Sequence, residues 1–219
     1  MIPGAFPIIA GKPPPTVVWT ESAASSSASS PHTFTGISLS TADGSRQIFV
    51  AVYSGVASAV TVGGISATLV KNTASSTLTL WRAAVPTGTS ASVVVTYTGG
   101  GGRLLITVWA AYNLLSTTPV DTAQVTTSST PATTHTTTID TAGGGILIAA
   151  AGTVVNSGDG GPSWTGATLR NNRVLNGGVI DFVLSAGDSQ DTAAATGATL
   201  RTTWSPAVGN VAMVGATYF

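Results

Sequence analysis

The chain lacks cysteine and carries very little charge, and these two absences exclude several classes of protein. Without cysteine there is no disulfide scaffold and no thiol chemistry. Lys and Arg number 8, Asp and Glu number 8, and charged residues make up 7% of the chain. A net charge of zero without a basic cluster argues against nucleic-acid binding. No apolar run approaches roughly 18 residues, so we predict no membrane span.

Hydroxyl side chains replace ions as the main polar groups. There are 36 Thr and 24 Ser in 219 residues, beside a hydrophobic content of 43% that is high enough to bury a core. Short apolar runs rich in Val, Ile, Thr, Tyr and Trp recur between turns of Gly, Ser, Asn and Pro, which is the all-β pattern. We therefore predict an antiparallel two-sheet sandwich of jelly-roll type, with residues 16–219 forming a single domain.

Fifteen segments have the composition of strands. They are residues 16–21, 33–39, 46–54, 58–62, 66–70, 76–85, 91–97, 103–112, 121–127, 133–139, 145–154, 164–170, 174–184, 197–204 and 210–218. The serine-rich stretch 21–30 is predicted to be a loop, because serine competes for backbone hydrogen bonds. We expect these residues to be largely buried: Phe49, Val52, Trp81, Val95, Ile106, Val108, Ile148 and Val214.

Four of these strands are apolar throughout. They have the sequences RQIFVAVY, RLLITVWAAY, GILIAAAGTVV and NVAMVGATYF. A strand of this kind is covered on both faces. We expect the opposing sheet to cover one face, and a neighbouring subunit or an arm to cover the other.

Residues 1–15 form an extended N-terminal arm in this interpretation. The Pro13-Pro14-Pro15 run favours stiff polyproline II, whereas Phe6, Ile8 and Ile9 are apolar side chains that need a partner. Packing of the arm on its own domain is the alternative. We expect the arm to bind a neighbouring subunit or the surface of a larger particle.

Catalytic residues are scarce. The chain has one glutamate, Glu21, and seven aspartates, of which Asp43, Asp159 and Asp188 lie in turn-like contexts where the side chain caps backbone N–H groups. A glycosidase needs two carboxylates facing one cleft. Neither His32 nor His135 has other ligands at metal spacing. We predict that the protein is not an enzyme and has no cofactor.

Two weaker possibilities concern ligands. The most tenable metal site is for calcium, with Asp159, Asp188 and Asp191 as weak candidate ligands, although no calcium-binding motif is present. A lectin-like module would bind sugars through exposed aromatic rings, and Trp164 and Trp204 are the candidates because they lie near turns. Trp81 and Trp109 lie inside apolar strands and are expected to be in the core.

Four arginines are predicted at strand ends, where they would pair with aspartates or with strand-end carbonyls. They are Arg46, Arg103, Arg170 and Arg201. Separately, an Ala-Thr-Leu core after a glycine occurs at 64–69, 166–170 and 197–201. Duplicated Greek-key halves or low-complexity composition would both produce this echo, and composition is the preferred explanation.

Several motifs in order resemble one group of proteins. The segment GSRQIFVAVYSG at 44–55 is followed by AVTVGGISATLV at 59–70, LTLWRAAVPTGTSASVVVTYTG at 78–99 and ITVWAAYNL at 106–114. This order resembles jelly-roll virion structural proteins of tailed phages and gene transfer agents, of the head-decoration or head-spike-base type. The later SWTGATLRNN and VAMVGATYF also resemble that group, so the likeness covers residues 30–219.

The resemblance implies a structural protein of a tailed-phage or gene-transfer-agent particle. It would form part of a capsid decoration, a head spike base or a fibre, on the exterior of a particle made in the bacterial cytoplasm. Its partners would be itself, as a trimer or pentamer, other virion proteins such as the capsid, and a host surface glycan. The alternatives are a carbohydrate-binding attachment module and, less favoured, a glycan hydrolase.

Overall fold

The computed structural model describes residues 11–27, 29–53, 55–75, 77–98, 103–127 and 129–219. Over these residues every regular element is a β-strand, which confirms the all-β prediction. In the same residues, no helix is long and apolar enough to cross a membrane. Phe6, Ile8 and Ile9 of the arm lie outside the described residues.

Seventeen strands follow one another along the described chain. They are β1 Thr16–Ser25, β2 His32–Ser38, β3 Gln47–Tyr53, β4 Val56–Val62, β5 Ile65–Ser66, β6 Thr68–Asn72, β7 Leu78–Ala84, β8 Ser90–Thr98, β9 Leu104–Tyr112, β10 Asp121–Thr126, β11 Ala132–Thr141, β12 Gly145–Asn156, β13 Ser163–Thr165, β14 Thr168–Asn176, β15 Ile180–Thr192, β16 Ala195–Val208 and β17 Ala212–Tyr218.

These strands form four sheets, two from each half of the chain. The first half supplies an inner sheet in the order β1-β9-β3-β7-β6 and an outer sheet in the order β2-β8-β4-β5. The second half supplies an inner sheet in the order β10-β17-β12-β15-β14 and an outer sheet in the order β11-β16-β13. All pairings are antiparallel.

Both halves have the same jelly-roll order. If β5 and β6 are counted as two pieces of one bent strand, each half has eight strands in chain order. In both halves the inner sheet has the strand order first, eighth, third, sixth, fifth, and the outer sheet begins with the second, seventh and fourth strands. The predicted antiparallel sandwich is therefore confirmed, and the described chain contains two of them, with four sheets instead of two. Whether residues 16–219 fold as a single domain stays a prediction.

The two inner sheets pack against each other, so three apolar layers separate four sheets. In β3, Ile48, Val50 and Val52 belong to the core inside the first sandwich. The alternate residues Phe49 and Ala51 belong to a central core that both inner sheets share. A third core lies inside the second sandwich.

The four wholly apolar strands correspond to β3, β9, β12 and β17, all of which lie in the inner sheets. They are covered on both faces, as expected. The expectation that a neighbouring subunit or the arm covers the second face is wrong, because the chain's own other half covers it. These strands are therefore no evidence for association between subunits.

The contact between the halves has the pattern of an internal two-fold axis. The edge strand β1 lies against β14 at one side, and β6 lies against β10 at the other. Since β1 corresponds to β10 and β6 to β14, a first strand meets a fifth strand twice. Reciprocal contacts of this kind define an isologous pair. The chain is therefore a covalently linked pair of jelly rolls.

The sequence echo has a structural meaning at two of its three positions. Thr68 begins β6 and Thr168 begins β14, which are the fifth strands of the two halves. Each follows a left-handed glycine, which is Gly64 in the turn between β4 and β5 of the outer sheet and Gly166 where the chain passes from the outer to the inner sheet. Duplication of the two halves explains this pair better than low-complexity composition, the explanation that the sequence favours. The third occurrence lies in β16 and is not equivalent.

Local predictions are mostly accurate. All eight residues expected in the core are buried. The stretch 21–30 is a correction, because β1 continues to Ser25 by pairing with β9, where Ser25 lies opposite Leu104. In that pairing the strand ladder satisfies the backbone groups for which the serine hydroxyls were expected to compete.

Candidate functional site

Several carboxylates accept hydrogen bonds from backbone amides. Oε2 of Glu21 accepts a hydrogen bond from the Ser38 N–H at 2.8 Å. Asp43 accepts hydrogen bonds from the N–H and hydroxyl of Ser45 at 2.7 and 2.6 Å, which lower the pKa of its exposed carboxyl. Asp181 accepts from the N–H groups of Gly177 and Gly158, both at 3.2 Å. Such contacts fix turns and strand ends.

Asp188 is an exception, and its predicted turn context is wrong. It lies within β15, is fully buried, and pairs with Arg170, whose Nη2 is 2.7 Å from Oδ1. Burial raises the pKa of Asp188, while the hydrogen bond from Arg170 opposes that rise. Oδ2 of Asp188 and Nε1 of Trp109 are both buried without a hydrogen-bond partner of normal geometry. The indole N–H of Trp109 nevertheless lowers the pKa of Asp188, by less than Arg170 does.

The weak calcium candidates are therefore in unlike environments. Asp188 is committed to Arg170 inside the protein, while Asp191 is exposed and Asp159 is half-buried. Among the described residues, no three His, Asp, Glu or Cys side chains lie close enough to hold a metal ion. His135 is buried, and its Nε2 is 3.1 Å from the Ala132 carbonyl oxygen.

The two tryptophans predicted to face a glycan lie in different environments. Trp204 is 1% exposed and its Nε1 donates to Oγ1 of Thr202 at 3.1 Å, so its predicted glycan-facing role is wrong. The reason is that β16 continues past it to Val208 and places the ring in the core of the second sandwich. Trp164 is half-buried and donates to Oγ of Ser185 at 2.8 Å.

Arg46 is the most buried charge in the first half. Its guanidinium is fully buried and donates to six carbonyl oxygens at 2.7–3.1 Å. The acceptors are Leu39, Ser40, Thr41, Val85, Thr87 and Gly88. The predicted pairing of a strand-end arginine with carbonyls is confirmed here, and the arginine joins two connections at one end of the sandwich.

Arg103 and Arg170 also lie near strand ends, whereas the predicted strand-end position of Arg201 is wrong, because Arg201 lies in the middle of β16. Arg170 pairs with Asp188. Arg103 lies 4.8 Å above the Phe182 ring, and its Nη2 donates to the Gly177 carbonyl at 3.4 Å. Nη2 of Arg201 donates to a hydroxyl, Oγ1 of Thr165, at 3.2 Å.

A cleft of about 330 Å³ opens between the two halves. Its walls include the aromatic side chains of Tyr53 and Phe182 and four hydroxyl residues, Ser75, Thr77, Thr126 and Thr127. Two of these hydroxyls, those of Ser75 and Thr77, already contact each other at 2.9 Å. Neutral hydroxyls beside aromatic rings suit a small uncharged polar ligand better than an ion.

A second depression of about 310 Å³ lies where the arm joins the sandwiches, and we call it the proline groove. It is lined by Lys12, Pro13, Pro14, Pro15, Leu115, Gly143, Gly144 and Phe219. Nζ of Lys12 donates to the Leu114 carbonyl at 3.0 Å, and Pro15 is buried, so the root of the arm is attached to the body. Pro13 and Pro14 are exposed.

The turn between β14 and β15 carries the most exposed large hydrophobic residue of the described chain. Val179 is 84% exposed, and the neighbouring Ile180 is 38% exposed. The predicted continuous strand 174–184 is wrong, because this turn divides it into β14 and β15. The proline groove was not predicted either. The signal for the turn was available, because Gly177-Gly178 followed by two β-branched apolar residues is a tight turn with an apolar tip.

No family model matches the chain, and no curated protein matches it. Two solved structures show weak similarity. A turret protein of Sulfolobus turreted icosahedral virus is 15% identical, with 93% of this chain and 100% of that chain covered and a TM-score of 0.19. A structure of Cucumber leaf spot virus is 12% identical, with 100% of this chain and 96% of that chain covered and a TM-score of 0.20. These scores do not indicate a shared fold.

Proposed function

We propose that the chain is a structural protein of a virus particle, without a catalytic role. The observation that carries the proposal is the tandem jelly roll, two units of the same strand order joined through a central apolar core. Jelly rolls recur in viral capsid proteins and in lectins. The capping of backbone amides by Glu21 and Asp181 supports a role without catalysis, because these carboxylates already hold the fold together.

In the finer form of the proposal, the particle is that of a tailed phage or gene transfer agent. The chain forms a capsid decoration, a head spike base or a fibre on the exterior, as a symmetric trimer or pentamer. The motifs at 44–114 and the near absence of charge support this form. The arm supports it too, because Phe6, Ile8 and Ile9 precede a stiff proline run whose root is fixed to the body.

Density-gradient fractionation of particles from producing cells tests this proposal. The chain should sediment with intact particles, and deletion of residues 1–12 should weaken that association while the far-UV circular dichroism spectrum stays that of a β-protein. Glu21→Gln should leave incorporation unchanged. Recovery of the chain only in the soluble fraction, or polysaccharide turnover that vanishes with Glu21→Gln, would contradict the proposal.

The second candidate is a carbohydrate-binding attachment module, which the hydroxyl-lined cleft favours. Burial of Trp204 removes one of the two rings on which this candidate depended, so the cleft beside Phe182 is its remaining support. Thr118 is exposed and lies outside the cleft, so Thr118→Val is the control for Thr126→Val. Glycan-array binding that is lost in Thr126→Val and retained in Thr118→Val would favour this candidate. Equal loss or equal retention in the two variants would contradict it.

A further inference from the structure

The turn between β14 and β15 contains the one Asn-Gly dipeptide of the chain, Asn176-Gly177. An asparagine before glycine loses its side-chain amide when the next backbone nitrogen attacks the side-chain carbonyl carbon and closes a five-membered ring. Glycine favours this attack because it has no Cβ to hinder the close approach. Asn176 is exposed, so water has access to the ring that would form.

The fold places a base on the attacking nitrogen. Asn176 and Asp181 are the last pair in the register of β14 with β15, so the hairpin brings both residues to the same end. The Gly177 N–H donates to Oδ1 of Asp181 at 3.2 Å, and the Asp181 side chain is 4% exposed. A carboxylate at that distance is within the reach of a general base, which takes the proton as the nitrogen attacks.

A second hydrogen bond polarises the carbonyl group that is attacked. Oδ1 of Asn176 accepts from the Gly178 N–H at 2.8 Å. Negative charge develops on this oxygen when the ring closes, and a backbone N–H already aimed at the oxygen stabilises that charge, as in an oxyanion hole. The nucleophile, the base and the oxyanion donor therefore all lie within residues 176–181.

The glycine at position 177 has a structural cause. A Cβ there would overlap the carbonyl oxygen of Ile180 and would lie 3.0 Å from the Arg103 guanidinium. The turn therefore requires glycine at the position that makes Asn176 labile. Asp181 is held in place as well, because its other oxygen, Oδ2, accepts from the Gly158 N–H at 3.2 Å.

We infer that Asn176 is a self-modification site, at which the folded chain converts its own asparagine to aspartate or isoaspartate. The Gly177 nitrogen bonds to Cγ of Asn176 and its proton passes to Asp181. The bond from Cγ to Nδ2 then breaks, and ammonia leaves with that proton. Water opens the resulting succinimide at either of its two carbonyl groups, so the reaction needs no oxidant, reductant or cofactor. The inference does not depend on the proposed function.

Either product alters this end of the chain. The new carboxylate gives a chain of zero net charge a net negative charge. Isoaspartate also inserts the former side-chain methylene into the backbone. This insertion would shift the Gly177 carbonyl, which now accepts from Nη2 of Arg103 at 3.4 Å. Because the ammonia is lost, the modified fraction should increase with the age of the folded chain.

Mass spectrometry of the purified full chain, aged in water enriched in oxygen-18, tests the inference. Trypsin digestion in ordinary water then releases residues 174–201, in which Asn176 is the only asparagine. Heavy oxygen that fragmentation assigns to residue 176 marks deamidation during ageing and not during digestion. Labelling should be faster in the folded wild type than in the same chain unfolded in guanidinium chloride.

Asp181→Asn should slow this labelling by roughly tenfold or more, because an amide is not a base. Asp159→Asn is the matched control, since it removes a carboxylate and creates a second Asn-Gly dipeptide with Gly160. Gly160 is exposed, and a Cβ there would have no heavy atom within 4 Å, so this dipeptide faces solvent instead of an aligned base. Residue 159 of the control should be labelled more slowly than Asn176 of the same molecule, which should keep the wild-type rate.

The direction of the Asp181→Asn effect separates catalysis from a merely structural role. If Asp181 only holds the turn still, its replacement loosens the turn and labelling at residue 176 becomes faster. Equal or faster labelling in Asp181→Asn would therefore overturn the inference, and so would slower labelling in the folded wild type than in the unfolded chain. If circular dichroism shows that Asp181→Asn does not fold, the comparison of folded with unfolded wild type decides alone.

Discussion

The ring of Tyr53 on β3 lies directly over the α-carbon of Gly152 on β12, at the contact between the two jelly rolls. A Cβ at position 152 would lie 2.5 Å from Cδ2 of Tyr53. Tyr53 is 6% exposed, and burial raises the pKa of its phenol. The close approach of the two inner sheets at this point therefore depends on glycine at position 152.

Gly152→Ala should lower the free energy of unfolding by about 1–3 kcal/mol, because the extra methyl group overpacks the central core. Chemical denaturation measures the change. Gly160→Ala is the matched control, since its Cβ would have no heavy atom within 4 Å, and it should change stability by less than about 0.5 kcal/mol. Equal effects in both variants would contradict the packing described between Tyr53 and Gly152.

Arg46→Met should cost about 3 kcal/mol or more, because removal of a buried donor leaves several buried carbonyl oxygens unsatisfied. Arg173→Met, at an exposed position on β14, is the control and should be nearly neutral. Denaturation midpoints at neutral pH compare the two. If Arg46→Met unfolds at the wild-type midpoint, the carbonyl contacts contribute nothing to stability.

Asp188 should contribute to the pH dependence of stability in a defined direction. Its pKa is raised in the folded protein, so the folded state binds its proton more tightly than the unfolded state does. Its contribution is greatest below the ordinary aspartate pKa of 3.8 and falls as the pH rises through the folded value. The unfolding free energy of the wild type minus that of Asp188→Asn should therefore fall as the pH rises from acidic to neutral. An increase would reverse the sign assigned to burial.

The first half alone should fail to remain a soluble monomer. Expression of residues 11–118 would expose Phe49, Leu80 and Trp109, which are buried in the central core of the whole chain. We expect aggregation or self-association, relieved by co-expression of residues 119–219. Light scattering and size-exclusion chromatography measure this. A monodisperse monomer would show that the central core is dispensable.

Sequence alone predicted local features well, because alternation and apolar content are local. In β8, Val93, Val95 and Tyr97 are buried as their spacing predicts. What covers the second face of β3 and β12 was not predictable, since the pairing of distant strands has no local signature. The neighbours of Asp188 predict a turn, and those of Trp204 predict a strand that ends there, yet β15 and β16 continue through these residues. A Cβ at Gly187, the residue before Asp188, would lie 3.2 Å from the Trp164 ring, which is a tight contact.

The copy number of the chain in purified particles tests the central claim most directly. Quantitative mass spectrometry with isotope-labelled peptides would compare the chain with the major capsid protein after gradient purification and a high-salt wash. The account predicts a fixed ratio, the same in independent preparations, as expected for a symmetric structural component. A ratio that varies between preparations or falls to zero after the wash would contradict it.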